Sequence, residues 1–300
     1  MGDQSPAIEF RHVSISFEEK LALDDVSFRL ERGRMICITG VSRSGMSVLL
    51  QLAAGLLRPD EGQIFVEGRE IEGLEEQELL ALRSAALGMV FQEQALFTGM
   101  SVYDNTAYRL DEHNWPEDDI ERAVSEILTF VGLEEDIDKL PEELSIGMRR
   151  RLEFARAMIG WPEIMLFDEA TSGLDPLNAR AILDLVIRAR DIHKISSLFV
   201  TKELHEIPYL AHQYAVEEPS RGVSIRSMND APDERSRLEM VEKVSVMVLE
   251  AGRVVFSGKP SEFESSDLAA VIRLTHPAPS APSSETYIPD PWSHSKKPHE

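Results

Sequence analysis

The segment ICITGVSRSGMSVLLQLAAGL, residues 36–56, constrains the fold of this 300-residue chain more than any other. An apolar run enters a turn of glycines and serines and continues as an apolar segment with helical spacing. Strand, glycine-rich turn and helix, in this order, form a phosphate-binding loop of the pattern G-x-x-x-x-G-K-[ST]. Gly40, Gly45 and Ser47 have the required spacing, but Met46 stands in the position of the lysine. The segment predicts either an altered phosphate site or an ordinary strand–turn–helix.

The missing lysine should affect binding and catalysis differently. Backbone N–H groups and the helix N-terminus can hold phosphates without the lysine, and Ser47 can still bind Mg²⁺. The lysine makes a charge-assisted contact that is strongest when charge develops in a transition state. We therefore expect Met46 to impair hydrolysis more than binding. Arg43 is also unusual, since its neighbours suggest a small residue at that position.

Composition excludes several classes of protein. A formal charge of −22 argues against binding to nucleic acid, and the chain has 43% apolar residues to fill a core. The single cysteine, Cys37, lies in a predicted buried strand and excludes a disulfide framework. No apolar run approaches the roughly 18 residues that span a membrane, and the N-terminus lacks a signal-peptide pattern. A globular, cytoplasmic protein is expected.

Apolar periodicity predicts alternating strands and helices. Strands are expected at residues 8–17, 21–30, 34–39, 62–71, 163–170 and 196–201, and helices at about 47–57, 74–86, 116–131 and 176–193. Alternation of strands and helices implies a parallel sheet covered on both faces.

Two segments differ in composition from the rest. Residues 217–243 are polar and charged and are interpreted as a mobile insertion. Residues 275–300 are rich in Pro and Ser and are interpreted as a disordered tail. The tail's apolar cluster of Tyr287, Ile288 and Trp292 either anchors another subunit or has no role.

A second motif, IMLFDEATSGLDP, places Asp168 and Glu169 at the end of a predicted buried strand. This pair suits Mg²⁺ coordination by Asp168 and polarisation of an attacking water by Glu169. The plainer interpretation is a pair of strand-end carboxylates that cap a helix. A third motif, LSIGMRRRLEFARAM, places Ser145 and Gly147 where a helix begins and could present N–H groups to an anion.

Together these motifs resemble the ATPase subunits of ATP-binding-cassette (ABC) transporters over about residues 8–274, apart from the insertion. The order and spacing match at Gly40–Ser47, Gln92, Leu144–Met148, Asp168–Glu169 and Gly173–Asp175. The stretch LFTGMSVYDNTAY and the Gly147–Met148 pair most resemble the ATPase of the Mla/Mce phospholipid-trafficking systems.

The resemblance implies an α/β fold: a P-loop NTPase of ABC type with a mixed β-sheet core, an antiparallel β-subdomain and a helical subdomain at about residues 93–160. The nucleotide-binding domain would cover residues 1–274. ATP and Mg²⁺ are the implied cofactors. The implied phosphate loop comprises Gly40, Arg43, Ser44, Gly45, Met46, Ser47 and Val48.

The resemblance also implies individual roles. Phe17 would stack on adenine, and Glu169 would act in catalysis. Mg²⁺ would be bound by Ser47, Gln92 and Asp168, with Gln92 also sensing the γ-phosphate. The remaining matches concern the opposite subunit of a head-to-tail dimer: Ser145 and Gly147 would close on its ATP, and Asp175 would cross the interface.

The implied partners are an integral membrane permease subunit and a second ABC ATPase subunit, identical or different, without nucleic acid. The stretch from Gln92 to Tyr108 would line the groove that accepts the permease. Such a chain would lie peripherally on the inner face of the cytoplasmic membrane.

Three departures from the family concern the γ-phosphate or its surroundings: Met46 replaces the lysine, Ile146 a signature glycine, and Lys202 the switch histidine. One hypothesis is that Lys202 supplies the cation that Met46 lacks, with Arg43 as a second candidate. The alternative is that lysine and histidine were both lost without compensation. Hydrolysis is expected to be impaired in either case.

Two functions follow. The first is an energy-coupling ATPase subunit of an Mla-like lipid transporter with weak turnover. The second is a non-hydrolysing structural or regulatory subunit that pairs with an active ABC ATPase. A soluble ABC protein of translation or DNA repair is disfavoured, because those usually carry two cassettes or a long coiled coil.

Overall fold

Strands and helices alternate along most of the chain in the computed structural model, which describes residues 5–18, 20–41, 43–93, 95–218 and 222–275. The strands are β1 Ile8–Phe17, β2 Lys20–Leu30, β3 Met35–Gly40, β4 Glu61–Val66, β5 Arg69–Glu70, β6 Leu87–Val90, β7 Ile164–Asp168, β8 Ser196–Val200, β9 Gln213–Glu218, β10 Gly222–Ser227, β11 Val244–Glu250 and β12 Arg253–Gly258. The helices are α1 Met46–Ala53, α2 Glu76–Ala86, α3 Val102–Glu112, α4 Glu117–Val131, α5 Ile146–Met158, α6 Pro176–Asp191, α7 Glu206–His212, α8 Glu234–Val241, α9 Pro260–Glu264 and α10 Ala269–Thr275.

The central sheet has the strand order β12–β11–β3–β8–β7–β6. Neighbouring strands run parallel except β12, which pairs with β11 in antiparallel orientation. Every residue of β3, β7 and β8 is buried. Parallel strands covered by helices on both faces account for these dense apolar runs.

Successive residues of these strands enter two different cores. Cys37, Phe167 and Phe199 belong to the core that contains α4–α7. Their neighbours, among them Ile38 and Leu166, belong to the core beneath α1 and the second sheet. Since side chains alternate across a strand, one apolar run can fill both cores.

The second sheet has the order β2–β1–β4–β5, with every pair antiparallel. It packs its apolar face, including Phe10 and Val26, against α1 and the central sheet. The predicted strands at residues 8–17 and 21–30 are confirmed as β1 and β2. The predicted helix over 47–57 ends at Ala53, because Gly55 adopts a left-handed conformation with φ 63° that stops the helix.

Helices α3, α4 and α5 lie between β6 and β7 in the sequence and pack against one another. Ser101 caps α3 and Ser145 caps α5, each accepting a hydrogen bond from a backbone N–H of the first turn. The α4 helix begins with three acidic residues and ends at Gly132, which has φ 69°. These are the expected signals for helix ends.

The charged segment at residues 217–243, interpreted as a mobile insertion, carries regular structure in its described part. It contains the end of β9, the whole of β10 and helix α8. Six residue pairs join β9 to β10 in a hairpin that was not predicted. The β11–β12 hairpin after it was also missed, although it extends the central sheet. The predicted tail beyond Thr275 lies outside the described residues.

A buried ion network fixes the end of α6. Arg190 is 1% exposed and donates hydrogen bonds to both carboxylate oxygens of Asp191 and to the carbonyl oxygens of Leu210 and Gln213. Lys243 Nζ donates a third charged hydrogen bond to Asp191, with a length of 2.9 Å. Burial of two charges is tolerated because their remaining hydrogen-bonding groups are satisfied.

Within the described residues, the helices are all too short or too polar to cross a bilayer.

Candidate nucleotide-binding site

The turn between β3 and α1 has the backbone geometry of a phosphate-binding loop. Gly45, immediately before α1, has φ 98°, and a Cβ there would lie 2.4 Å from the carbonyl oxygen of Ala22. A Cβ on Gly40 would lie 2.2 Å from the carbonyl oxygen of Leu249. Neither position can accept a side chain without displacing backbone, so both glycines are required by the fold.

The hydroxyl of Ser44 is available to a ligand inside this loop. Ser44 is 1% exposed, and its Oγ has no hydrogen-bond partner among the described groups. The same Oγ lies 2.8 Å from the position that a Cβ on Gly40 would occupy, so it is directed towards the start of the loop. A buried hydroxyl without a partner costs about 1–3 kcal/mol. A phosphate oxygen is a suitable acceptor, and the loop therefore fits a nucleotide phosphate.

Two other loop residues depart from the expected pattern in different ways. Met46 is 5% exposed and packs in the core beside Leu49 and Leu50, and Val48 is half-buried against the same core. Arg43 is exposed and has φ 67°. The left-handed conformation costs a residue with a Cβ about 1–2 kcal/mol.

Ser47 and Asp168 form a pair of oxygen donors suited to Mg²⁺. The Ser47 hydroxyl donates a hydrogen bond of 3.2 Å to Asp168 Oδ1. Asp168 ends β7 and is 7% exposed, and burial raises the pKa of its carboxyl. Mg²⁺ is bound in proteins by one or two such oxygens together with waters and substrate phosphates. The two residues fit this ion, which would bridge the phosphates to the protein.

Gln92 is not joined to that pair. Its side chain is exposed on the segment after β6 and makes no hydrogen bond to Ser47 or Asp168. Its backbone carbonyl accepts a hydrogen bond of 3.4 Å from Arg150 of α5. The segment of Gln92 is therefore anchored to the helix that Ser145 caps.

Glu169 and Lys202 are brought together directly. Lys202 Nζ donates a hydrogen bond to Glu169 Oε1 and forms an ion pair with it. Glu169 has φ 48°, and its backbone N–H is bonded to the carbonyl oxygen of Val200 at 3.0 Å. A left-handed residue with a carboxylate at a strand end is a strained arrangement of the kind found at functional sites.

A buried carboxyl behind Glu169 was missed by the sequence reading. Glu206 is 1% exposed and accepts hydrogen bonds from the hydroxyls of Thr171 and Thr201. Burial raises the pKa of Glu206 despite these two bonds. The three residues line a cavity of about 500 Å³ that Lys202 and Glu169 also border. No repeated spacing in the sequence indicates this contact, because Thr171 follows β7 whereas Thr201 and Glu206 follow β8.

The beginning of α5 touches the beginning of α6. A Cβ on Gly147 would lie 2.0 Å from Oδ1 of Asn178. Asn178 Nδ2 donates a 2.5 Å hydrogen bond to Asp175, which caps α6, and this bond is the largest cause of the lowered pKa of Asp175. The sequence analysis did not predict a role for Asn178, although Asn178 lies between Gly147 and Asp175, two of the predicted site residues.

The other residues that the sequence analysis connected with the site lie at the surface. Phe17, at the end of β1, is 44% exposed, and Ile146 is 56% exposed at the start of α5. Ser145 is exposed, and its hydroxyl accepts a 3.2 Å hydrogen bond from the N–H of Met148. The roles of these residues towards adenine and the opposite subunit stay predictions.

The family model "ABC transporter" matches residues 23–172, which is half of the chain. Among curated proteins, the methionine import ATP-binding protein MetN of Leifsonia xyli is 39% identical over 217 residues, covering 71% of this chain and 64% of the relative. MetN of Bifidobacterium longum is 37% identical over 232 residues, covering 75% of this chain and 58% of the relative. The chain thus spans less than two thirds of the length of these relatives.

The narrower expectation of an Mla/Mce lipid-trafficking ATPase is not supported. The curated relatives described above are named for methionine import. That expectation was based on the stretch LFTGMSVYDNTAY and the Gly147–Met148 pair, which are few residues. The alignments with the two MetN proteins cover 71% and 75% of the chain.

Solved structures of similar fold include cbiO1 of Clostridium perfringens, part of the ABC transporter complex cbiONQ. That structure has a TM-score of 0.71 and 24% identity, and the match covers 91% of this chain and 97% of cbiO1. The ATP-binding cassette MJ0796 in a post-hydrolysis dimer with ADP and Pi has a TM-score of 0.67 and 21% identity, over 84% and 98%. The predicted ABC-type P-loop fold is confirmed. The chain belongs to the ABC transporter ATP-binding family.

Proposed function

We propose that this chain is the ATP-binding subunit of an ABC importer whose cargo is an amino acid. The observation that carries ATP binding is the Ser47–Asp168 contact at the end of a loop whose Ser44 hydroxyl is buried and unpaired. These groups supply the metal ligands and one phosphate donor that Mg-ATP requires. The nucleotide-binding domain is taken as residues 1–274.

The cargo class rests on the relatives rather than on the site. None of the residues described at the ATP site indicates which cargo is transported. Relatives at 37–39% identity carry methionine import in their names. An amino acid is therefore the cargo to test first.

The proposed membrane partner would bind at a groove between β6, α3 and α5. This groove has a volume of about 280 Å³, and Phe91, Tyr108 and Arg156 are among its lining residues. Arg156 stacks over the ring of Phe97, itself 36% exposed and 4.6 Å from the ring of Tyr108. Exposed aromatic rings and an arginine are typical of interface centres. The subunit would then sit at the inner face of the membrane.

The second candidate is a subunit that binds ATP without cleaving it and pairs with an active ATPase. Two observations favour it: the Met46 side chain is buried in the core, and Lys202 is paired with Glu169, the candidate base. In a mixed dimer, Ser145 and Gly147 of this chain would complete the partner's site.

Calorimetric titration of the full chain with ATP, with and without Mg²⁺, tests the proposal. We expect micromolar binding that Mg²⁺ strengthens, and loss of the Mg²⁺ effect in Asp168→Asn. Asp233→Asn, which makes the same change of side chain at the cap of α8, is the matched control. No binding up to millimolar ATP would refute ATP binding. Turnover of the purified chain, measured by phosphate release, then separates the two candidates.

A further inference from the structure

We propose that Arg43 supplies the cation that binds the terminal phosphates of the nucleotide, in place of the lysine that position 46 lacks. The inference rests on the proposed function, because it requires that this loop binds ATP. It assigns to Arg43 a phosphate-binding role that the family pattern gives to another position.

Two cationic residues, Lys202 and Arg43, are candidates to replace the lysine that position 46 lacks, and the structure distinguishes them. Met46 has no charge, and its side chain is buried in the core. Lys202 has a charge, but its ammonium is engaged by the carboxylate of Glu169. Arg43 is exposed, and its guanidinium makes no hydrogen bond or ion pair with any described residue.

Arg43 has no partner among the described residues, although carboxylates are abundant in this chain. Asp and Glu outnumber Lys and Arg by 53 to 31, so carboxylates are abundant on the surface. Other exposed arginines of the chain do pair with a carboxylate, as Arg29 does with Glu9 and Arg253 with Asp24. A guanidinium left unpaired on a phosphate-binding loop is available to an anionic ligand.

The backbone at Arg43 supports the same conclusion. Its φ of 67° is a conformation that glycine adopts without strain and arginine does not. The loop therefore needs this conformation, yet the sequence carries a long cationic side chain there. Strain that persists at a candidate ligand site indicates a role for the side chain.

The chemistry of the side chain suits the role. A guanidinium is charged at every physiological pH and presents parallel N–H donors that match two oxygens of a phosphate. Arg43 directly precedes Ser44, whose buried hydroxyl is directed towards Gly40. Backbone, hydroxyl and guanidinium donors would then converge on one phosphate chain.

The test compares the full chain with Arg43→Ala, Arg43→Lys and Arg43→Gly by calorimetry in the presence of Mg²⁺. Each protein is titrated with ATP, ADP, AMP and inorganic phosphate. Arg43→Gly is the decisive variant, because it relieves the backbone strain while removing the cation. Thermal unfolding without nucleotide is measured in parallel for each variant.

We expect Arg43→Ala and Arg43→Gly to weaken ATP binding at least tenfold, ADP binding less and AMP binding not at all. Arg43→Lys should retain part of the affinity. Arg43→Gly should melt about 2 °C higher than the unchanged chain. A higher melting temperature with ATP affinity unchanged would overturn the inference and leave Arg43 a tolerated substitution. Equal losses for ATP and AMP would also overturn it.

A rescue variant adds an independent test. Met46→Lys in the Arg43→Ala background returns a cation to the family position, and we expect it to recover most of the lost ATP affinity. If the unchanged chain binds no ATP, the proposed function and this inference both fail. If it binds ATP and Arg43→Gly binds equally well, only this inference fails.

Discussion

Lys202 and Glu169 form an ion pair at the end of β7, where a carboxylate would otherwise be free to polarise water. The Lys202 side chain is 40% exposed and that of Glu169 is 12% exposed. A pair with this exposure contributes at most about 1 kcal/mol. The pair therefore keeps the Lys202 ammonium next to the Glu169 carboxylate without fixing either side chain rigidly.

Replacing Lys202 by Met should leave the affinity for Mg-ATP within about twofold of the original value. The reason is that the Lys202 ammonium is already paired with the Glu169 carboxylate rather than with the phosphate-binding loop. Calorimetry checks this, with the exposed Lys259→Met as control. A loss of several-fold would instead support the hypothesis that Lys202 compensates for Met46, and would show that Lys202 leaves Glu169 when ATP binds.

Glu206→Gln should change how stability depends on pH. The raised pKa means that the folded state holds its proton to higher pH than the unfolded chain, whose carboxyl titrates near 4.5. Stability must therefore fall as pH rises through and above that value. Glutamine carries no charge and can bond to both Thr171 and Thr201. The variant should thus gain stability relative to the original chain as pH rises above 4.5.

Urea unfolding at several pH values measures this difference, and the exposed Glu264→Gln serves as control. Parallel stability curves for Glu206→Gln and the original chain would contradict the prediction. Such a result would mean that ionised Glu206 is as well stabilised in the fold as in water.

Gly147→Ala should destabilise the fold through Asn178 alone. The new Cβ would lie 2.0 Å from Asn178 Oδ1, so the Asn178 amide must turn away and lose its hydrogen bond to Asp175. In an Asn178→Ala background the obstacle is gone, and alanine favours a helix over glycine by about 1 kcal/mol. The same substitution should then be neutral or stabilising.

The four proteins of this double-mutant cycle can be compared by urea unfolding. Gly99→Ala is the matched control, since nothing lies within 4 Å of a Cβ there. Additive effects of the two substitutions would exclude the proposed contact between α5 and α6.

Cys37 should react with a thiol reagent only when the central sheet opens. It is the single cysteine of the chain, is fully buried in β3, and burial raises its pKa to about 12. A buried thiol that is not ionised is inert. Labelling should be slow in buffer and should slow further on addition of Mg-ATP, because ligand binding stabilises the folded state. Labelling within seconds in the native protein would be incompatible with this burial.

Much of the architecture could be predicted because it depends on local pattern. The burial of β3 and β7 follows from their apolar runs, and Gly40 and Gly45 stand where the backbone admits no side chain. The β9–β10 hairpin was missed because it lies in a segment that was judged by its polar and charged composition, although Val223 and Ile225 alternate with polar residues along β10.

Contacts between distant segments could not be predicted from one sequence. Lys202 was selected as a possible phosphate ligand, but its pairing with Glu169 depends on the ends of β7 and β8 lying side by side. The contact of Asn178 with Gly147 likewise depends on how α6 packs against α5. Position along the chain gives no measure of either distance.

The network at the end of α6 limits how the chain could be shortened. Lys243 is the last residue of the charged segment 217–243 and neutralises part of the buried charge of Asp191. Arg190 donates a hydrogen bond to the carbonyl oxygen of Gln213, where β9 begins. An engineered cassette that excised residues 217–243 would discard that lysine together with the surface residues. A minimised version should therefore retain Lys243, because the segment's last residue belongs to the charge balance of the interior.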